Sequence, residues 1–212
     1  MARRAQDQPS GLSQERILEV ALELAAAEGI EALSMRRLAQ ELDVWPMSVY
    51  RYFQDKDALL DAMAADLIDQ LPDLAPDAPW RERMHALLEA AAGRLAESPG
   101  LAARLPRAFL GEGALRLPEA GVAILLDAGL DPGEAPSAWR ALWSYTFGFA
   151  TFRAGQPRAV RAAVAGLDED HFPALAGVGE AFADALGSDD EFAAGLDRLL
   201  DGLALRAGLS RA

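Results

Sequence analysis

A short segment of the chain concentrates side chains that can bind phosphate groups and the edges of nucleotide bases. Ser48, Tyr50 and Arg51 lie within four consecutive residues, and Arg36 lies on the segment before them. A guanidinium group can donate two parallel hydrogen bonds to guanine, whereas hydroxyl groups commonly bond phosphate oxygens. Lys56, the only lysine of the chain, closes the segment. These residue types indicate noncovalent recognition of nucleic acid.

The apolar residues around this segment predict two short helices joined by a tight turn. Leu38 and Leu42 repeat at helical spacing on the first helix, and Val49 and Phe53 supply apolar anchors after the break. Asp43 occupies the turn, where aspartate can adopt the positive φ that such a turn often needs. This arrangement is typical of a helix-turn-helix.

Capping residues locate the helices of this region. Ser13, Ser34 and Asp55 are candidate N-caps, and Pro46 suits the first turn of the helix after Asp43. Gly29 is a natural end for the helix that begins after Ser13. The pattern therefore predicts four helices before residue 71.

The charge distribution permits DNA binding without requiring it. The formal net charge is −13, which opposes attraction to phosphate. Residues 34–56 nevertheless carry four basic and three acidic side chains, a small positive excess on an acidic chain. Two interpretations stay open from the residues alone: a helix-turn-helix for the major groove of DNA, or an ordinary pair of short helices around a turn.

The composition excludes several classes of function. The 212 residues include no cysteine, which rules out disulfides, zinc–thiolate sites, iron–sulfur clusters and cysteine nucleophiles. The two histidines, His85 and His171, have no metal-ligand spacing, and no glycine-rich phosphate loop or serine elbow occurs. We therefore predict no metal, no cofactor and no enzymatic activity. Without a signal peptide or a long apolar run, we expect a cytoplasmic protein with no membrane contact.

Beyond the joint at 71–79, which contains three prolines, the pattern predicts only helices. The expected segments are 79–97, 101–110, 114–128, 135–154, 172–186 and 189–207. No run of alternating β-branched residues predicts a strand. The sequence thus predicts an all-α protein of nine to ten helices, preceded by a flexible arm at 1–12.

Three runs resemble the DNA-binding domain of the TetR family of transcriptional repressors. They are GIEALSMRRLAQEL at 29–42, SVYRYF at 48–53 and KDALLDA at 56–62. The resemblance implies that residues 13–71 form a DNA-binding domain with a three-helix helix-turn-helix.

Two later runs resemble the C-terminal domain of tetracycline repressors, WSYTFGF at 143–149 and FAAGLDRLLDGL at 192–203. The resemblance implies that residues 72–212 form a larger helical domain that binds a ligand and forms a homodimer.

The resemblance assigns DNA contacts to the second and third helices and to the start of the fourth. By position these residues are Arg36, Pro46, Met47, Ser48, Tyr50, Arg51, Tyr52 and Lys56. Arg37, beside Arg36 in the first turn of the second helix, can also reach phosphate or a base edge. Arg36 and Arg51 are the candidates for base edges, and Tyr50 and Lys56 those for phosphate.

Two positions depart from the family pattern. Asp43 replaces the usual turn glycine and adds a negative charge near the DNA backbone. Trp45 stands where a small polar cap is common. Either the third helix begins differently, or Trp45 itself touches DNA.

The segment 136–153 is apolar over well over half of a helical surface, so it must be buried on more than one side. In the resembled family this helix and the last helix form a four-helix dimer interface. The residues then expected at the interface are Tyr145, Phe149, Phe152, Phe192, Leu196, Leu199 and Leu203. Without the resemblance, both helices would be ordinary core helices.

Aromatic and polar-tipped residues could line a ligand pocket between helices. The candidates are Trp80, Met84, His85, Phe109, Trp139, Trp143 and Phe147. An aromatic cavity suits an apolar or planar small molecule. Most such residues in a helical protein are also ordinary core residues.

The expected function is that of a homodimeric repressor. It would bind a palindromic operator in double-stranded DNA and leave it when a small-molecule effector binds the C-terminal domain. The alternative is a ligand-binding or scaffold protein that has lost its DNA affinity, which the net charge, Asp43 and Trp45 make conceivable.

Overall fold

The computed structural model describes residues 12–70, 72–105, 115–154, 157–168, 170–184 and 189–209. Over these ranges the regular secondary structure consists of twelve α-helices, with no strand. The all-α fold class is therefore confirmed. The expected arm at 1–12 lies outside the described residues except for Leu12.

Capping side chains begin three of the first four helices. These four are α1 (Gln14–Glu28), α2 (Met35–Glu41), α3 (Pro46–Tyr50) and α4 (Lys56–Asp69). Ser13, Ser34 and Asp55 each accept a hydrogen bond from the backbone N–H three residues later, which satisfies one of the unpaired donors of the first turn. Pro46 opens α3. The predicted starts of all four helices are confirmed.

Asp43 makes the turn between α2 and α3 with a positive φ of 51°. A non-glycine residue enters this region only at some energetic cost, and aspartate tolerates it better than most. The turn is closed by a hydrogen bond of 2.9 Å from the N–H of Val44 to the carbonyl of Ala39. With this turn, Leu38 of α2 and Val49 of α3 are both fully buried.

Eight further helices form the rest of the described chain. They are α5 (Trp80–Glu97), α6 (Pro99–Ala102), α7 (Arg116–Asp127), α8 (Ala135–Ala154), α9 (Pro157–Ala165), α10 (Pro173–Gly177), α11 (Gly179–Asp184) and α12 (Asp189–Ala207). Helix α5 packs most extensively against α8 and also contacts α4, α6, α7 and α12. We call the helices from α5 to α12 the larger helical body, and α5 forms its centre.

Four predicted helices agree with the observed ones to within two residues: 79–97, 114–128, 135–154 and 189–207. Three expectations need correction, and the first two together raise the predicted nine to ten helices to twelve over the described ranges. The segment 172–186 is broken at Val178 into α10 and α11, because glycines on both sides of Val178 weaken the helix. Helix α9 was not expected, although the proline at its start suits the first turn of a helix. The predicted helix 101–110 is also not continuous where it is described, because α6 begins at Pro99 and ends at Ala102, and a turn follows. Residues 106–110 lie outside the described residues.

Helix α4 joins the first three helices to the larger body. Arg104, which follows α6, donates hydrogen bonds to Asp57 at 2.8 Å and to Asp61 at 2.9 Å, both on α4. Gly100 of α6 lies so close to Ile30 that an added Cβ would stand 3.1 Å from its Cγ2 atom. The contacts of α6 thus reach both α4 and the loop after α1.

Candidate nucleic-acid interface

Helix α3 is anchored on one side and exposed on the other. Val49 and Phe53 belong to the hydrophobic core. Tyr50 and Arg51 are exposed, and so is Arg36 in the first turn of α2. A short helix held by apolar anchors, with its polar side chains outward, is the arrangement that a recognition helix requires.

Arg36 and Arg51 are the exposed cations of this surface. In the part of the chain that the structure describes, neither guanidinium group makes an ion pair. Each therefore keeps its donors for an external acceptor, either a phosphate oxygen or the O6 and N7 atoms of guanine.

Arg37 has a different environment from Arg36. Its guanidinium donates to Glu28 on α1 at 2.6 Å and to Glu41 on α2 at 2.7 Å. The hydrogen bonds to Glu28 and then to Glu41 raise the pKa of Arg37 above its ordinary value. Because both carboxylates already occupy this cation, the structure argues against the predicted DNA contact by Arg37. The residue instead ties α1 to α2, a contact that local sequence spacing does not reveal.

Tyr52 and Lys56 make contacts that fix neighbouring backbone. The Tyr52 hydroxyl donates to the carbonyl of Leu12 at 2.7 Å, which holds the segment before α1 against the end of α3. The Lys56 Nζ atom lies 3.4 Å from the carbonyl oxygen of Ile30 and 3.5 Å from that of Glu31. Lys56 is partly buried, so its stem lies along the protein while its ammonium stays near the surface.

Four neighbouring residues begin α3. Trp45 is 83% exposed and Met47 is 72% exposed, whereas Pro46 and Ser48 are partly buried. Trp45 occupies the N-cap with extended backbone and no side-chain cap hydrogen bond. Helix α3 therefore begins where it was predicted, and Trp45 remains on the surface.

The residues predicted to line a ligand pocket lie mainly in the core or at its edge. Met84 is fully buried, and Trp80 and Trp139 are nearly so. Trp143 is partly buried and stacks on Trp139 with ring centroids 6.1 Å apart; Phe147 follows at 6.1 Å from Trp143. Phe109 lies outside the described residues.

His85 takes part in a charged network between α5 and α12. Its Nε2 atom lies 3.0 Å from Asp197 Oδ1, and its Nδ1 atom lies 3.3 Å from Glu89 Oε1. Arg81 also pairs with Asp197 and, at 3.0 Å, with Asp201. The imidazole is thus engaged with carboxylates, a role that the sequence did not indicate.

A cavity of about 350 Å³ lies between α5, α8 and α12. Its lining residues are Glu89, Ala92, Gly93, Phe149, Ala150, Asp190, Phe192 and Ala193. Phe149 and Phe192 were assigned from the resemblance to a dimer interface. Of the predicted pocket residues that the structure describes, none lines this cavity. The position of a ligand pocket in this chain stays a prediction.

The aromatic residues of α8 pack against the start of α12. Tyr145 stacks on Phe192 with centroids 5.5 Å apart, and Phe149 lies 5.2 Å from the same ring. The Tyr145 hydroxyl donates to the backbone carbonyl of Phe192 at 3.0 Å. Burial raises the pKa of Tyr145. These rings therefore join two helices within one subunit.

The expected dimer residues differ in their exposure. Leu196 and Phe192 are buried, at 0% and 4%, so they leave no surface for a partner and belong to the subunit core. Leu199 and Leu203 are partly buried. Tyr145 and Phe149 are also partly buried, whereas Phe152 is 52% exposed.

Leu205 is an exposed large apolar residue of α12 that the sequence pattern did not single out. It is 78% exposed, on the side of the helix opposite Leu196. Periodicity identifies a strongly apolar stripe, but it does not tell which stripe faces the core and which faces a partner.

Neither a membrane span nor a metal cluster occurs in the ranges described. No helix there combines the length and apolarity needed to cross a bilayer. No group of three potential ligands is placed to hold a metal ion.

Family models match both parts of the chain. Residues 17–63 match the bacterial regulatory proteins of the tetR family, and residues 71–207 match the tetracyclin repressor-like C-terminal domain. The HTH-type transcriptional repressor DrrR1 of Streptomyces coeruleorubidus is 33% identical, over 91% of this chain and 77% of its own length.

Solved structures extend this similarity to the fold. ActR of Streptomyces coelicolor, in complex with actinorhodin, matches with a TM-score of 0.77 at 26% identity, covering 94% of this chain and 98% of ActR. BioQ with its double-stranded DNA operator matches with a TM-score of 0.62 at 25% identity, covering 92% of this chain and 99% of BioQ. The chain therefore belongs to the TetR family, a family of DNA-binding transcriptional regulators and not of enzymes.

Proposed function

We propose that this regulator is a homodimeric repressor that binds a palindromic operator and leaves it when a small molecule binds the larger helical body. The proposal that the chain binds DNA rests on one observation: Arg36 and Arg51 are both exposed on the helix-turn-helix. We also propose that residues 13–71 and 72–212 are the two domains, with Arg36, Pro46, Met47, Ser48, Tyr50, Arg51, Tyr52 and Lys56 at or near DNA.

The roles on DNA follow from exposure. Arg36 and Arg51 have free guanidinium groups in the described part of the chain and are suited to base edges. Tyr50, which is 44% exposed, and Lys56 are suited to phosphate, where they fix the register of α3 without specifying sequence.

A homodimer is supported by exposed apolar and small residues on two neighbouring helices. On α8, Gly148 and Phe152 are exposed, and on α12, Gly202 and Leu205 are exposed. Glycines on such a surface allow helices to approach closely, and the two large side chains gain from being covered. Two-fold symmetry would place two copies of α3 about 34–36 Å apart, in successive major grooves.

Two features support a response to an effector: a cavity in the larger helical body, and hydrogen bonds that connect this body to α4. The cavity of about 350 Å³ between α5, α8 and α12 has the size of small-molecule sites. Arg104 connects the end of α6 to Asp57 and Asp61 on α4, the helix that begins at Lys56. A ligand that favours one arrangement of the larger body would thereby bias the spacing of the recognition helices. ActR, which binds actinorhodin, is a relative of similar fold.

The test is the affinity of the purified chain for DNA upstream of its own gene. Fluorescence anisotropy at several salt concentrations should show tighter binding to this duplex than to a scrambled duplex of the same composition. Equal binding to both duplexes would contradict the proposal. It would favour a ligand-binding protein without DNA specificity.

A further inference from the structure

Trp45 stands at a position that neither capping nor packing explains. Ser13, Ser34 and Asp55 cap the other three helices of the region with side-chain hydrogen bonds, as residues of this type commonly do. Trp45 takes the equivalent position of α3 and caps nothing with its side chain. Its indole is 83% exposed, so the core gains little from it. The chain thus gives up a favourable cap for an aromatic ring in solvent.

Met47 adds a second large apolar side chain beside the first. It is 72% exposed in the first turn of α3. Two large apolar side chains exposed within three residues leave apolar surface that a binding partner would cover. The anchors of α3, Val49 and Phe53, are buried in the core, unlike these two side chains. The apolar pair is therefore part of the outward surface of the recognition helix.

The neighbours of this pair identify what covers it. Arg36 and Arg51 are exposed on the same helix-turn-helix, so the surface is continuous with the one that we propose for DNA. Side chains from the first residues of a recognition helix contact base edges in the major groove. A thioether has no donor for a phosphate oxygen and an indole has only its single N–H, so most of the surface of both side chains is apolar. What remains in the major groove for an apolar side chain is the 5-methyl group of thymine.

We propose that Trp45 and Met47 recognise thymine through its 5-methyl group. The two residues are about 3 Å apart along the helix axis, close to the spacing of one base-pair step. They would therefore contact one thymine or two neighbouring ones in each half-site. Arg36 and Arg51 would supply the polar part of the same recognition. This inference rests on the proposed operator binding and names the base that it reads.

The experiment removes single methyl groups from the DNA. Operator sites are first selected from a random duplex pool with the full-length wild-type chain. Each thymine of the selected half-site is then replaced by uracil, which differs only in the methyl group, and dissociation constants are measured by anisotropy.

The wild-type chain should lose about fourfold in affinity at one or two uracil positions, the factor that burial of one methyl group provides. The variants Trp45→Ala and Met47→Ala should bind the thymine duplex more weakly and no longer distinguish it from uracil at those positions. Trp45→Phe should retain the discrimination. Phe172→Ala is the matched control, since Phe172 is 50% exposed in the larger body, and it should behave as wild type.

Equal wild-type affinity for thymine and uracil at every position would overturn the inference. So would full discrimination in both alanine variants, even if their overall affinity falls, because that result would assign the pair to the backbone. Selection of no preferred sequence by the wild-type chain is a different result. It would contradict operator binding itself and the thymine contact with it. Because both side chains are exposed, circular dichroism of the variants should match wild type.

Discussion

Arg104 Nε donates a hydrogen bond to Asp61 Oδ1 at 2.9 Å, and this bond fastens the end of α6 to the middle of α4. A second bond, from the same guanidinium to Asp57 at 2.8 Å, reaches the first turn of α4. Burial lowers the pKa of Arg104, but the hydrogen bonds to Asp61 and Asp57 outweigh it, so the pKa lies above its ordinary value. Arg104 therefore connects the larger helical body to α4, the helix that begins beside the DNA-facing surface.

Loss of the two hydrogen bonds of Arg104 should lower both the stability of the fold and the affinity for DNA. We expect Arg104→Ala to lower Tm by roughly 2–4 °C, the shift that about 1 kcal/mol gives in a chain of this size. It should also weaken operator binding a few-fold, although Arg104 does not face DNA, because α4 is less firmly held. Calorimetry and anisotropy check both effects. Arg94→Ala on α5 is the control, and an unchanged Tm in Arg104→Ala would show that the bond adds nothing.

Variants of Arg37 and Lys56 should distinguish a cation that stabilises the fold from one that contacts DNA. Since Arg37 is held by Glu28 and Glu41, Arg37→Ala should lower Tm and leave the salt dependence of operator binding unchanged. Lys56→Ala should reduce the slope of log affinity against log salt by about one, as expected for one lost phosphate contact. A reduced slope in Arg37→Ala would restore the DNA contact that the structure argues against.

The contact of Asp197 with His85 should appear in the acid stability of the protein. The hydrogen bond to His85, aided by Arg81, holds the pKa of Asp197 below its ordinary value of 3.8. A carboxylate of this kind stabilises the fold above its unfolded pKa, and the contribution is lost as the pH falls through the folded pKa. The free energy of unfolding should therefore fall less steeply below about pH 4 in Asp197→Asn than in wild type. Urea unfolding between pH 3 and pH 7 measures this.

His85→Ala should flatten the same part of the profile, because it removes the main cause of the low pKa. Parallel profiles for both variants and wild type below pH 4 would show that the contact between α5 and α12 is not maintained in solution.

Leu205 should report on the dimer. Leu205→Glu places a charge on an apolar side chain that is 78% exposed, so the subunit fold should survive. If that surface is covered by a second copy, the charge must be buried there, and the dimer should dissociate. Light scattering should then give half the mass of wild type, and operator binding should weaken strongly. Val178→Glu, at 53% exposure outside α8 and α12, should change neither. A dimeric Leu205→Glu would place the interface elsewhere.

The local features of the fold could be predicted from the sequence. Ser13, Ser34 and Asp55 cap helices through bonds to residues three positions away, so the signal and the structure lie in the same stretch of chain. The positive φ of Asp43 was also expected from the short segment around it, and the structure has it. Family resemblance extended this local pattern to a function.

Features that depend on distant parts of the chain could not be predicted. Besides local partners four residues away, Arg37 pairs with Glu28 on another helix, and His85 contacts Asp197 on the last helix. Similarly, Leu196 was assigned to a dimer interface from the family resemblance, whereas in this chain it is fully buried within the subunit. Whether an apolar residue faces the core or a second subunit is decided only by how α12 packs on α5 and α8.

The central claim is that the exposed surface of the helix-turn-helix recognises a specific DNA sequence. The most direct measurement compares Arg51→Ala, Arg37→Ala and wild type on the duplex upstream of the gene and on a scrambled duplex, at one salt concentration. We predict that wild type and Arg37→Ala prefer the upstream duplex. Arg51→Ala should lose roughly tenfold or more of that preference, as removal of a base contact implies. An undiminished preference in Arg51→Ala, or none in wild type, would contradict the claim.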